Sequence, residues 1–195
     1  MRVFLGITGA SGAPYARRLL HALVDADCEV GVSASASGIE VLATELWGEP
    51  RLPRDEVLAR LVEGTGDAVT VYDPGDYSAP YASGSAKVDG YVVCPCSMST
   101  LGTIAAGAMA NLVHRACSVA LKEGRRLVLV PRETPLPTIH LEGMLKLRNA
   151  GATILFAAPG FYHRPESIGD LVDFVVARCL DQLGLEHALS GRWGA

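Results

Sequence analysis

Val3-Phe4-Leu5-Gly6-Ile7-Thr8-Gly9-Ala10-Ser11-Gly12-Ala13-Pro14-Tyr15 holds the pattern of the whole fold. Residues 3–8 are continuously apolar or small, which predicts a strand buried on both faces. Residues 9–13 make a tight turn, and Pro14, with its φ preset for a helix, suits a first helical position. A helix to about Asp25 follows, with Tyr15, Leu19, Ala22 and Leu23 on one face. The same strand–turn–helix unit recurs. Strands are expected at residues 29–33, 69–72, 90–94, 127–130 and 153–157. Helices are expected at 38–46, 55–63, from Ser99 or Thr100 onward, and at 111–123, 140–149 and 167–183. Residues 77–87 read as a loop of small residues. The last helix is the clearest: Ile168, Leu171, Val172, Val175, Val176, Cys179, Leu180 and Leu183 form one apolar stripe, with Arg178 at its edge. Strands alternating with helices predict an α/β chain, with a mostly parallel sheet covered by helices on both faces. No repeat or linker divides it, so residues 1–195 are expected to be a single domain.

The 195 residues suffice for a full core. Hydrophobic content of 49% against 19% charged is high for a monomer, so copies of the chain are expected to cover part of its surface. A net charge of -4 and the lack of a basic run argue against nucleic-acid binding. The N-terminal apolar stretch is too short for a signal-peptide core and lacks a cleavage pattern. No apolar run reaches membrane-spanning length. The five cysteines, an odd number within apolar segments, fit a reducing cytoplasm.

Two charged loops follow predicted strands: Pro131-Arg132-Glu133-Thr134-Pro135 and Gly160-Phe161-Tyr162-His163-Arg164-Pro165. Open α/β sheets bind ligands at the carboxyl ends of their strands, so these loops point to a phosphorylated or otherwise anionic ligand. In the first turn, glycines allow close approach and helix-start N–H groups face anions. Glycines at 6, 9 and 12 do not make G-x-G-x-x-G, and no acidic residue ends the second strand. Dinucleotides are therefore disfavoured, while a mononucleotide such as FMN fits. Taken alone, this loop reads equally well as a generic tight turn. Pro95-Cys96-Ser97-Met98-Ser99-Thr100 repeats the arrangement, and its hydroxyls can cap a helix or meet a phosphate or flavin edge. Cys94 and Cys96 are too close in sequence for a metal or redox pair and read as buried thiols. Arg115 and Lys122 fall on one side of a helix and can converge on an anion. Arg125 and Arg126 read as a solvated basic face, and Ser83-Gly84-Ser85 as a flexible turn. Arg132 beside Glu133 reads as a surface ion pair or as a site, and His163 as aromatic packing or catalysis. The histidines lack ligand spacing, so no metal is expected.

Together with Ala120-Leu121-Lys122-Glu123 and the terminal Arg192-Trp193-Gly194, these motifs resemble the UbiX/Pad1 family of flavin prenyltransferases over nearly the whole chain. The resemblance implies a Rossmann-like (flavoprotein) three-layer fold. It implies transfer of a dimethylallyl group from dimethylallyl phosphate to reduced FMN, making prenylated FMN for UbiD-type decarboxylases. It implies FMN contacts at Gly9, Ala10, Ser11, Ser35, Ser97, Met98, Ser99, Thr100 and Arg132. Donor contacts are implied at Ser83, Arg115, Lys122, Glu133, Tyr162 and Arg178, with Trp193 as an apolar wall. Lys122 and Tyr162 would stabilise the leaving phosphate, Glu133 would carry a proton, and Ser11 and Glu45 would assist ring closure. Family members form dodecamers with sites at subunit junctions, so some residues are expected to serve a neighbour's site. Two departures stand out: Ala36 where many relatives have Lys, and Tyr77 where some have Trp. The rival readings are an FMN-dependent cysteine decarboxylase of the phosphopantothenoylcysteine or lantibiotic type, and a non-catalytic flavin carrier.

Overall fold

The computed structural model describes residues 1–189. Six strands form one sheet: β1 (Arg2–Ile7), β2 (Glu29–Ala34), β3 (Val69–Val71), β4 (Gly90–Cys96), β5 (Arg126–Pro131) and β6 (Thr153–Ile154). Their order is β3-β2-β1-β4-β5-β6, and every adjacent pair is parallel. The helices are α1 (Ala13–Asp25), α2 (Ala36–Trp47), α3 (Arg54–Leu61), α4 (Met98–Ala105), α5 (Leu112–Lys122), α6 (Thr138–Asn149) and α7 (Ile168–Leu183). The chain winds outward from β1 one way and from β4 the other. Their carboxyl ends therefore diverge, and a crevice opens between the loops that leave them.

Alternation along the strands sorts the core into two layers. Val3, Leu5 and Ile7 of β1 join Val30 and Val32 of β2 under α1, α2, α3 and α7. Phe4 faces the opposite side, with Tyr91 and Val93 of β4 under α4, α5 and α6. Both faces of each central strand are thus dry, which is why the strands read as apolar runs. Each fully buried Leu of α1 (Leu19, Leu20, Leu23) contributes about 1.5–3 kcal/mol of transfer free energy. Arg18 of α1 and Asp173 of α7 add an ion pair at 2.6 Å where these two helices pack. Ser167 starts α7 with a reciprocal capping box to Asp170. The backbone N–H groups of Glu166 and Ser167 and the Ser167 hydroxyl hold the Asp170 carboxyl below its ordinary range.

Several boundaries differ from expectation for identifiable reasons. β4 continues to Cys96 because the Pro95 carbonyl still accepts from Thr8 of the neighbouring connection, at 3.1 Å. β6 is only Thr153–Ile154, although Leu155 and Ala157 still donate to the carbonyls of Leu129 and Pro131. The small-residue loop contains a 3-10 turn at Pro80–Ala82. Its Tyr81 is 1% exposed and packs at 5.1 Å from Phe4. Glycine at 31 leaves room for that ring, since a Cβ there would fall 2.7 Å from the phenol oxygen. Ile168 was expected in the buried stripe but is 76% exposed. It lies in the first turn of α7 and lines a surface cavity of about 450 Å³ with Pro14 and Arg17.

Candidate active site

The carboxyl ends of β1 and β4 are held together by Thr8. Its hydroxyl donates to the Pro95 carbonyl at 3.1 Å and accepts from the Ser97 N–H at 2.8 Å. Thr8 is buried, so these bonds set the spacing of the two loops that border the crevice. Gly12 has φ of 135°, a conformation L side chains rarely adopt, and turns the chain into α1. The N–H groups of Gly12 and Ala13 were expected to face an anionic ligand. Both instead donate to Oε2 of Glu45, at 2.9 and 2.8 Å. Glu45 thereby sits against the positive end of α1, while Gly9 and Ser11 are exposed on the outer side of the turn.

Neighbouring strand ends contribute to the same edge. Ser35 caps α2 by accepting from Gly38 N–H at 3.0 Å, and Ser37 packs against Gly9 so closely that a Cβ at Gly9 would collide with it. Ser97 caps α4 by accepting from Thr100 N–H at 3.2 Å and donates to the Thr100 hydroxyl at 3.1 Å. Of the three hydroxyls in this turn, one caps, one partners the cap, and Ser99 is exposed at the helix start. Arg132 and Glu133 follow β5 directly. They form no ion pair with each other among the described residues. Arg132 is exposed, and Glu133 is half-buried and accepts from Thr134 N–H at 3.1 Å. Arg54 also reaches this edge: its Nη1 donates to the Ala34 carbonyl at 3.1 Å, and its Nη2 is buried with no partner among the described residues. Hydroxyls, exposed turn backbone and guanidinium groups along one sheet edge fit a flavin mononucleotide, whose phosphate and ring edge require such donors.

The second predicted group lies along α5. Arg115 donates from Nε to the Ala82 carbonyl at 2.9 Å. Lys122 pairs with Glu123, whose carboxyl it holds below the ordinary range. A Cβ on Gly84 would fall 2.6 Å from Lys122 Nζ, so the two cations flank the turn that carries Ser83. They converge on that turn rather than on each other, being roughly 10 Å apart along the helix axis. Arg125, read as solvated, is an anchor instead: it donates to the Gly84 carbonyl at 2.6 Å and to the Tyr91 hydroxyl at 3.0 Å. Lys122 ends α5 close to the start of β5, and hence near the amino edge of the sheet, away from the Thr8 crevice.

The third group borders β6 and α7. The Tyr162 ring meets Phe174 edge-on at 5.7 Å, and His163 stacks on Phe174 at 5.3 Å. The packing reading of His163 therefore holds. Arg178 lines a cavity of about 270 Å³ with Phe174 and Ile154 and pairs with Asp181 at 2.6 Å. Trp193 lies outside the described residues. The single chain thus keeps the predicted flavin residues, Glu45 and Glu133 on one sheet edge. It holds Ser83, Arg115 and Lys122 on a second surface, and Tyr162 and Arg178 on a third. Cys94 and Cys96 are buried thiols, and burial pushes Cys96 up to about 12. Among the described residues no cluster of three metal-ligating side chains occurs, and no helix is long and apolar enough to cross a membrane. Arg54 and Met109 were not singled out from sequence, and Thr8 was named only as part of the first-turn motif, with no role of its own. Of these only Thr8 carried a signal, as a polar residue closing a buried strand.

A family model described as Flavoprotein matches residues 1–180. A flavin prenyltransferase UbiX from Pseudomonas aeruginosa is 51% identical, covering 99% of this chain and 94% of its own. One from Methanocaldococcus jannaschii is 44% identical, covering 100% and 99%. AnUbiX (PadA1), solved in complex with FMN and dimethylallyl pyrophosphate, superposes with a TM-score of 0.89 at 38% identity, covering 100% of this chain and 97% of its own. A dodecameric FMN-dependent UbiX-like decarboxylase from Escherichia coli O157:H7 gives 0.87 at 43% identity over the full length of both chains. The cysteine decarboxylase TvaF, at 0.63 and 16% identity, shares the fold alone.

Proposed function

From a chain that belongs to the flavoprotein family, and within it to the UbiX flavin prenyltransferases, we infer a specific reaction: transfer of dimethylallyl from dimethylallyl monophosphate to N5 and C6 of reduced FMN. The product, prenylated FMN, would serve a UbiD-type decarboxylase. The observation that best supports this reading is the meeting of turns from β1, β2, β4 and β5 at one crevice, where Glu45 and Glu133 stand beside exposed backbone and hydroxyls suited to a flavin.

Reduced FMN supplies the nucleophilic ring positions, and the chain's residues do the rest. Gly9, Ala10, Ser11 and Ser35 border one side of the flavin, and Ser97 through Thr100 with Arg132 the other. Thr8 keeps the two sides in register. The donor's C–O bond breaks with its electron pair going to phosphate. That developing charge requires cations and donors already in place, and Arg115, Lys122, Arg178 and the Tyr162 hydroxyl have the chemistry for it. Glu133 moves a proton at the phosphate oxygen. As the ring closes, the proton carried by Glu133 and the phosphate goes to the inner carbon of the prenyl double bond, C6 bonds to the substituted carbon, and Glu45, fixed by two backbone N–H groups, receives the C6 proton through Ser11. The cations lie on surfaces apart from the flavin crevice, so a complete site requires residues from more than one copy. The dodecameric relative supports such an assembly for this chain. Five buried free cysteines support a cytoplasmic location.

Anaerobic incubation with reduced FMN and dimethylallyl phosphate, followed by mass analysis, tests the reading. The expected product is a flavin heavier by one five-carbon unit. Unmodified flavin with decarboxylation of a cysteinyl peptide would replace this reading with the thiol-oxidising one, and FMN binding with neither product would favour a carrier.

A further inference from the structure

The Arg115 guanidinium does not stand alone on its surface. It opens onto a cavity of about 350 Å³ whose other walls are Tyr77, Ala82 and Met109. Tyr77 is 50% exposed and Met109 45% exposed. Met109 belongs to the exposed run 106–110 between α4 and α5 and therefore packs no core. Its sulfur accepts from Arg115 Nη1 at 3.5 Å, while Arg115 Nε is held by the Ala82 carbonyl at 2.9 Å. The edge of the guanidinium is thus steadied by a carbonyl and a thioether. The remaining cavity joins a fixed positive charge to a phenol ring and an unbranched, adaptable apolar side chain. A ligand with an anionic head and a short hydrocarbon tail matches that combination.

We propose that Met109 closes the hydrocarbon end of the donor site and thereby sets the prenyl chain length the enzyme accepts. This rests on the prenyltransferase reading above. A phosphate held at Arg115 leaves its tail within the same small cavity, where Tyr77 forms a rigid wall and Met109 a movable one. The thioether contact keeps Met109 folded beside the guanidinium, so its side chain bounds the cavity that would take the tail. Removing the side chain beyond Cβ opens that end and gives up the thioether contact, while Arg115 Nε keeps its bond to the Ala82 carbonyl.

The experiment compares wild type, Met109→Ala and Met109→Leu in their native oligomer. One arm measures transfer from dimethylallyl and geranyl monophosphate to reduced FMN. The other titrates the unreactive saturated phosphates, 3-methylbutyl and 3,7-dimethyloctyl phosphate. Met109→Ala is expected to raise the geranyl-to-dimethylallyl ratio of kcat/KM by roughly 10–200-fold, the range set by one methylene in an apolar pocket. The affinity ratio of the saturated pair should move the same way. Met109→Leu restores apolar bulk without sulfur and should keep the wild-type ratio. An unchanged ratio in Met109→Ala, or an equal loss for both chain lengths, overturns the proposal. If wild type transfers and binds neither donor, the prenyltransferase reading falls, and the inference with it.

Discussion

The crevice between β1 and β4 and the flank of α5 are built on opposite plans. In the crevice, the loops that leave β1 and β4 are bonded to other parts of the same chain: Thr8 to Ser97 and Pro95, and Glu45 to Gly12 and Ala13. Along α5, the cations lean on a surface turn and on nearby side chains, with Lys122 half exposed beside Glu123. A flavin can be held by one chain. Under the proposed reaction, the charge that expels phosphate is gathered from several. Holding a planar ligand requires preformed geometry, whereas clustered cations in one chain would repel each other until an anion or a neighbour arrives.

The sharpest test of this contrast is Glu133→Gln. It should lower prenyl transfer by about 10²–10⁴-fold, the usual scale for a general acid or base, with FMN affinity unchanged by flavin fluorescence. Mixed oligomers reassembled from Glu133→Gln and Lys122→Ala chains should then recover activity that neither variant has alone. Co-assembled but inactive mixtures would break the comparison, because the two residues would then act within one chain. Tyr162→Phe is expected to slow turnover by about 1–3 kcal/mol in barrier, the scale of one buried hydrogen bond left unmade, and a wild-type rate would remove the phenol from the site. Thr8→Val tests the other region. It strands the Ser97 N–H and should cost about 1–3 kcal/mol of stability, read as a lower denaturant midpoint with weakened FMN binding. Intact FMN affinity would show that the clasp does not shape the crevice.

The smallest expected effect concerns His114, buried in α5, whose Nδ1 accepts from Ala110 N–H at 3.3 Å and whose Nε2 has no partner among the described residues. Burial pushes its pKa down. Its contribution to stability is therefore complete above the unfolded value of about 6.5 and is lost as pH falls below it. His114→Gln should flatten the decline of unfolding free energy between about pH 7 and 5. An identical slope in the variant would place the titration elsewhere.

Strand runs and helix stripes were legible because burial on both faces of a parallel strand, or on one face of a helix, leaves its mark within a few neighbouring residues. Residues 3–8 and 167–183 show this, with edges displaced by a residue or two. Ile168 fits the stripe but is exposed, because periodicity reports the direction of a side chain and not what lies opposite it. Arg125 read as solvated because its partners, Gly84 and Tyr91, are 41 and 34 residues away. Glu45 carried a role only through family resemblance, since its bonds to Gly12 and Ala13 span 33 and 32 residues.

The sequence by itself determined the alternation of strand and helix, the parallel sheet, and the turns suited to a mononucleotide. Each depends on local dihedral preference and on apolar spacing between near neighbours. Only the tertiary structure decided that Thr8 clasps two strand ends, that Glu45 takes the helix N–H groups expected for a ligand, and that the cations stand apart from the flavin crevice. Those outcomes depend on which distant segments meet, and a one-dimensional pattern of residue types does not encode the distances between them.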